Sequence, residues 1–176
     1  MTKRVLAFAA SNSSKSINRQ LVDYAASLIE DAATEFLDIH DFEMPLYRSD
    51  REETDGIPQL AHDFLARLAA VDAILVSFAE HNGAYPAAFK NLFDWCSRIQ
   101  REVWQNKPVV MLATSPGAGG AARVLDFAVN AAPNFGGEVL GQLAVPKFNE
   151  VFDGETNRLA DEELDAQLCE LLARLA

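Results

Sequence analysis

Apolar positions along this chain alternate between two rhythms. Short, nearly unbroken apolar runs occur at 4–10, 72–77 and 107–114, with a further run at about 138–145 and a shorter one at 35–40. Runs of that length suit strands buried on both faces. Between them the apolar residues recur every three or four positions, as an amphipathic helix requires. One such stretch carries Leu21, Val22, Ala25, Leu28 and Ile29. A second covers 57–70, with Ile57, Leu60, Ala61, Phe64, Leu65 and Leu68 in register. A third opens at Pro86, where the missing N–H costs little, and runs through Ala88, Phe89, Leu92, Phe93 and Cys96 to Ile99. A fourth passes through Arg123, Leu125 and Val129 and stops before Pro133. The last starts at Asp161, whose acidic first turn suits the helix dipole, and carries Leu164, Leu168, Leu171, Leu172 and Leu175.

Strands alternating with helices of this length predict a parallel sheet covered on both faces, and thus an α/β three-layer sandwich. Five strands favour the flavodoxin-like order 2-1-3-4-5, with the chain reversing direction across the sheet between the first and third strands. No repeat, low-complexity tract or linker interrupts the pattern, so 1–176 is expected to form one domain. One stretch resists assignment: roughly fifteen residues after the second strand, holding Met44-Pro45-Leu46-Tyr47 and a mixed-charge run to Gly56, read as a long loop.

Composition narrows the function classes. Nearly half the residues are apolar and about a quarter charged, with a net charge of −11. That charge repels phosphate backbones and anionic lipid, and no Lys/Arg cluster opposes it, so neither nucleic acid nor membrane is an expected partner. No apolar run approaches the roughly 20 residues that cross a bilayer, and the brief apolar start turns polar at Ser11, unlike a signal peptide. Cys96 and Cys169 both sit in apolar helix patterns and read as small core residues in a reducing, cytoplasmic setting. His40, His62 and His81 lack ligand spacing, so no metal site is expected.

Candidate chemistry lies in three turns, each following a strand. The first, 11–18, crowds Ser11, Ser13, Ser14, Ser16 and Asn18 ahead of the helix that carries Leu21 and Val22. Unpaired helix N–H groups and hydroxyls there suit a phosphate, although a single Ser or Asn would serve as a plain cap. No G-x-x-x-x-G-K-[ST] is present, which excludes a triphosphate loop. The second, Glu80-His81-Asn82-Gly83, leads into an aromatic-rich helix. The third is Ser115-Pro116-Gly117-Ala118-Gly119-Gly120, where glycines let backbone approach a flat ligand. In the 2-1-3-4-5 arrangement all three lie at one edge of the sheet.

These turns resemble the motifs of the NADPH-dependent FMN reductase family, which includes quinone, azo-dye and chromate reductases. Glu80, Asn82, Gly83, Pro86, Lys90, Asn91, Asp94 and Trp95 match its P-E-Y-N-G-x-x-P…L-K-N…D-W signature, with Ala79 and His81 in place of Pro and Tyr. Ser11, Ser16 and Asn18 match G-S-x-R-x-x-S-x-N, with Ala10 and Ser13 in place of Gly and Arg. The segment 115–120 matches S-P-G-x-x-G-G throughout. The resemblance implies bound FMN, its phosphate on the first turn including Ser13, Ile17 and Asn18, and its ring between Glu80–Gly83 and Ser115–Gly120. It further implies two-electron, ping-pong transfer from NADPH or NADH to a small-molecule acceptor such as a quinone, free flavin, azo compound or metal oxyanion. Ser13 leaves the choice of donor open. No catalytic acid or base is required by flavin chemistry; His81 is the candidate proton donor, against the alternative of an idle loop histidine.

Trp95 and Trp104 suggest a subunit contact on the helix containing Lys90 to Arg98, implying a homodimer or homotetramer. The Lys90–Asp94 spacing suits a surface ion pair. A serine hydrolase is excluded by the absence of G-x-S-x-G and of any late histidine. A phospho-receiver is excluded by the lack of clustered acids after the first strand. An electron-carrying flavodoxin would want T/S-x-T-G-N-T at the phosphate turn, which is absent. A flavin-free binding domain on the same fold remains the second alternative.

Overall fold

The computed structural model describes residues 2–175. Its main sheet contains β1 (Lys3–Ala10), β2 (Ala32–Leu37), β3 (Ala73–Phe78), β4 (Lys107–Thr114) and β5 (Gly137–Val145). They pair in the order β2-β1-β3-β4-β5, every pairing parallel, as the alternation of rhythms predicts. Side chains of successive strand residues leave opposite faces. In β1, Leu6, Phe8 and Ala10 enter one core, and Val5 and Ala7 enter the other. Both faces must therefore be covered. Helices α1 (Ile17–Ser27) and α7 (Glu162–Leu172) cover one; α3 (Gln59–Ala69), α4 (Ala87–Ile99) and α5 (Ala122–Ala131) cover the other.

Three elements differ from expectation. The second strand was expected over 35–40 but spans Ala32–Leu37, because Asp38 ends it: its carboxylate accepts the His40 N–H at 2.9 Å and starts a 3-10 turn, Ile39–Phe42. The long loop contains a helix, α2 (Ser49–Asp55), with no buried residue, so no apolar period announces it. Glu52 holds it against the body of the protein, accepting from the Tyr47 hydroxyl at 3.1 Å and from Arg98 Nε at 2.9 Å. After β5 the chain forms a short helix, α6 (Phe148–Val151), and a hairpin of β6 (Phe152–Asp153) and β7 (Arg158–Leu159). The Phe148 and Phe152 rings stack at 4.6 Å beneath it.

Two aromatic expectations are corrected. Trp95 and Trp104 are not surface anchors: they are 0% and 3% exposed within this single chain. Trp95 Nε1 donates to the Pro45 carbonyl at 2.8 Å, so the indole is spent holding the Met44–Tyr47 segment. Asn91 completes that clamp. Its Nδ2 donates to the Met44 and Pro45 carbonyls, at 3.0 and 3.2 Å, and its Oδ1 accepts the Tyr47 N–H at 2.8 Å. Cys96 is buried, and burial pushes its thiol up to about 12, but Cys169 is exposed on the outer side of α7 rather than in the core. Lys90 and Asp94 do form the expected pair, at 2.6 Å. No helix among the described residues is long and apolar enough to cross a membrane.

Removing the Asn91 amide leaves the Met44 carbonyl and the Tyr47 N–H without their partner, while the Pro45 carbonyl keeps Trp95 Nε1. Asn91→Ala is expected to lower the unfolding free energy by roughly 2 kcal/mol in urea titration and to speed proteolysis within 44–55. Unchanged stability and cleavage would show that the clamp is idle.

Candidate functional site

Because the sheet is parallel, the turns after β1, β3 and β4 emerge together at its carboxyl edge. Between them lies a cleft of about 180 Å3. The first turn lines it with Ser11, Ser13, Lys15, Ser16, Ile17 and Asn18. Ala79, Glu80 and His81 line it from the second, and Thr114, Ser115 and Pro116 from the third. Asn82, Gly83, Gly117, Gly119 and Gly120 lie further along the same two turns and do not line this cleft. Lys15, Ala79 and Thr114 join the expected residues.

Asn18 accounts for the convergence. It sits in the first turn of α1, 2% exposed, and faces inward. Its Nδ2 donates to the Thr114 carbonyl at 3.2 Å; its Oδ1 accepts from the Thr114 N–H at 3.0 Å and from the Ser77 hydroxyl at 2.7 Å. The Thr114 hydroxyl donates onward to the Val145 carbonyl at 2.7 Å. One buried amide thus joins the start of α1 to the carboxyl ends of β3 and β4, and through Thr114 to β5. Its side chain is engaged within the protein, so its contribution to a ligand is limited to its backbone. Ser16 caps α1, its hydroxyl accepting the Arg19 N–H at 3.2 Å. The N–H groups of Ile17 and Asn18 lie ahead of any intrahelical acceptor and have no partner in the helix.

The second turn is a two-residue hairpin. His81 and Ala84 exchange both backbone hydrogen bonds, at 2.9 and 3.1 Å, across Asn82 and Gly83. Those two residues have φ of 55° and 79°, the left-handed pair that a type I′ turn demands and that Asn-Gly supplies most readily. The Asn-Gly dipeptide was the available signal for it. The Glu80 carboxylate accepts the Val124 N–H at 3.0 Å and so caps α5 from across the site, where Ala121 offers no side-chain cap. His81 stays exposed on the cleft wall.

The third turn rests on the segment after β5. Lys147 N–H donates to the Gly117 carbonyl at 3.0 Å and Phe148 N–H to the Ser115 carbonyl at 3.1 Å. Gly120 packs against that segment: a Cβ there would lie 2.8 Å from the Pro146 nitrogen. Its glycine is required by this backbone approach, not by a ligand. A Cβ at Gly83 or Gly119, by contrast, would meet nothing within 4 Å.

A second cleft, of about 190 Å3, lies on the other side of the first turn, toward the end of β2, and includes Lys15, Arg19, Asp38 and His40. There His40 Nδ1 lies 2.7 Å from Asp38 Oδ1. The hydrogen bond to Asp38, with the Asn12 backbone carbonyl as a further partner, holds the His40 ring above its ordinary value of 6.5.

The family profile of the NADPH-dependent FMN reductases matches residues 3–150. The chain is 37% identical over 109 residues to the 2-hydroxy-1,4-benzoquinone reductase of a Burkholderia species, a stretch covering 61% of this chain and 57% of that protein. It is 29% identical over 124 residues to the quinone reductase of Escherichia coli, covering 65% and 66% of the two. In both cases the matched stretch spans less than two thirds of the relative's length. Among solved structures, FerB, a flavoenzyme NAD(P)H:(acceptor) oxidoreductase from Paracoccus denitrificans, superposes with a TM-score of 0.80 at 25% identity, covering 98% of this chain and 94% of that one.

Asn18→Ala strips the partner from a buried N–H, a carbonyl and a hydroxyl together. The expected loss in chemical denaturation is roughly 2–4 kcal/mol; a loss near zero would contradict the bracket. His40, whose folded pKa is raised, adds stability that is complete below 6.5 and fades as pH rises through the folded value. An imidazole NMR titration should find His40 above 6.5 and Asp38→Asn should bring it down; no difference between the two proteins would remove Asp38 as the cause.

Proposed function

The chain belongs to the NADPH-dependent FMN reductase family, and on that premise we propose that it is an FMN-dependent NAD(P)H oxidoreductase. It passes two electrons, by a ping-pong course, from NADPH or NADH to a small acceptor: a quinone, a free flavin, an azo compound or a metal oxyanion. The observation that carries this reading is the single cleft walled by all three motif-bearing turns. The residues present fit the cofactor. Hydroxyls and unpaired N–H groups line the cleft from the first turn, and further along the other two turns a Cβ at Gly83 or Gly119 would meet nothing within 4 Å.

In this reading Ser11, Ser13 and Ser16, with the backbone N–H groups of Ile17 and Asn18, hold the phosphate. The backbone of Glu80, His81, Asn82 and Gly83 flanks one side of the flavin ring, and Ser115, Pro116, Gly117, Gly119 and Gly120 flank the other. FMN, when bound, supplies hydride acceptance and electron delivery; the protein supplies orientation and electrostatics. Of the ionisable side chains lining the cleft, Glu80 is occupied in capping α5. His81, exposed on the cleft wall, is the residue that delivers a proton to the reduced acceptor.

The protein works as one domain in the cytoplasm and assembles as a homodimer or homotetramer. The α4 face from Lys90 to Arg98 serves as the contact. An apolar groove of about 140 Å3 between α4 and α5, lined by Tyr85, Phe93, Phe127 and Phe135, supports that face, and Phe127 is 54% exposed.

The test is titration of purified protein with FMN, followed by NADH and NADPH oxidation with and without a quinone. Binding of about one FMN per chain and quinone-dependent oxidation are expected. Flavin absorbance bands unaltered by the protein would refute the reading; bound FMN without nicotinamide oxidation would reduce it to an electron carrier.

A further inference from the structure

The phosphate-binding residues named so far are all neutral. A phosphate monoester carries nearly two negative charges at neutral pH. The chain that receives it has a net charge of −11. Hydroxyls and backbone N–H groups hold and orient such an anion locally, and a positive charge close by adds attraction against the repulsion of the whole.

Two permanent cations line the clefts on either side of the first turn, Lys15 and Arg19. Arg19 is already neutralised. Its Nε lies 2.7 Å from Asp23, its Nη1 lies 3.9 Å from Asp38, and its guanidinium sits 5.5 Å over the Phe36 ring. His40 is likewise held by Asp38. Lys15 differs in every respect. It lines both clefts and is exposed. Its ammonium forms no ion pair among the described residues.

The backbone beneath Lys15 is fixed. Ser16 N–H donates to the Ser13 carbonyl at 3.1 Å, closing a turn in which Lys15 is the third residue, and Lys15 N–H donates to the Ser13 hydroxyl at 3.3 Å. The turn thus presents one uncommitted cation beside the serine hydroxyls and the open start of α1.

We propose that Lys15 is the charge-bearing ligand of the flavin phosphate and sets the preference for FMN over the unphosphorylated riboflavin. The proposal rests on the flavoenzyme reading above. It assigns the phosphate's orientation to the neutral donors and most of the electrostatic discrimination to one lysine. A charge at the rim of an open cleft is screened by salt, so the contribution is largest at low ionic strength.

Fluorescence titrations of FMN and of riboflavin, over a series of sodium chloride concentrations, test it on wild type, Lys15→Ala and Lys15→Arg. Lys15→Ala is expected to weaken FMN roughly five- to thirty-fold at low salt, to flatten the salt dependence and to leave riboflavin unchanged. Lys15→Arg keeps the charge and should retain most of the FMN affinity. Lys15→Ala with wild-type FMN affinity and salt slope overturns the proposal while leaving the flavoenzyme reading intact. So does an equal loss for FMN and riboflavin, which would place Lys15 at the ring or in the fold. Wild-type protein that binds neither flavin overturns both.

Discussion

The buried amide of Asn18 is the contact on which the site's geometry rests. A parallel sheet brings the turns after β1, β3 and β4 to one edge, but it does not fix them relative to one another. Strand ends fray, and turns rich in serine and glycine have few apolar contacts of their own. Asn18 supplies the missing constraint with three hydrogen bonds, to Thr114 twice and to Ser77 once. At 2% exposure these bonds form where water does not compete. The same seclusion makes the amide hard to replace, because each partner would be left buried and unpaired.

Around that bracket, each turn is shaped by a different local cause. Asn82 and Gly83 accept left-handed backbone so that His81 and Ala84 can pair. Gly120 has no Cβ because Val145 and Pro146 pass within 3 Å of where one would lie. Glu80 gives its carboxylate to the α5 backbone and so couples the second turn to the helix that follows the third. The polar residues nearest the cleft are largely engaged in holding the cleft open. The O–H donors of Ser11, Ser13 and Ser16, whose oxygens accept backbone N–H groups, are left to meet a ligand, with the first N–H groups of α1, His81 and Lys15.

Much of this was legible in the sequence, for reasons that also explain the misses. β1, β3 and β4 announce themselves because both faces are buried over most of their length, so 5–10, 73–76 and 108–113 are unbroken apolar runs. β2 is an edge strand with partly exposed residues, and its weaker pattern was placed three residues late. α2 has no apolar face at all, although Asp50 and Glu52 in its first turn and Gly56 at its end were signals for a helix. The three site motifs were found by residue type and spacing, which say where a side chain is but not whether it is already occupied. Asn18 and Glu80 were found by type, but that their side chains bind the protein itself, leaving their backbone groups for a ligand, is visible only in the structure. Trp95 was misplaced for the same reason: only the Pro45 carbonyl, fifty residues away, shows that its indole belongs inside.

The central claim is that one ligand touches all three turns at once. Amide chemical-shift mapping, with FMN titrated into isotope-labelled protein, tests it directly. The account predicts that amides in 11–18, 80–83 and 115–120 move together along one binding curve that saturates at about one FMN per chain. Shifts confined to a single turn, or lying on another face of the protein, would contradict it.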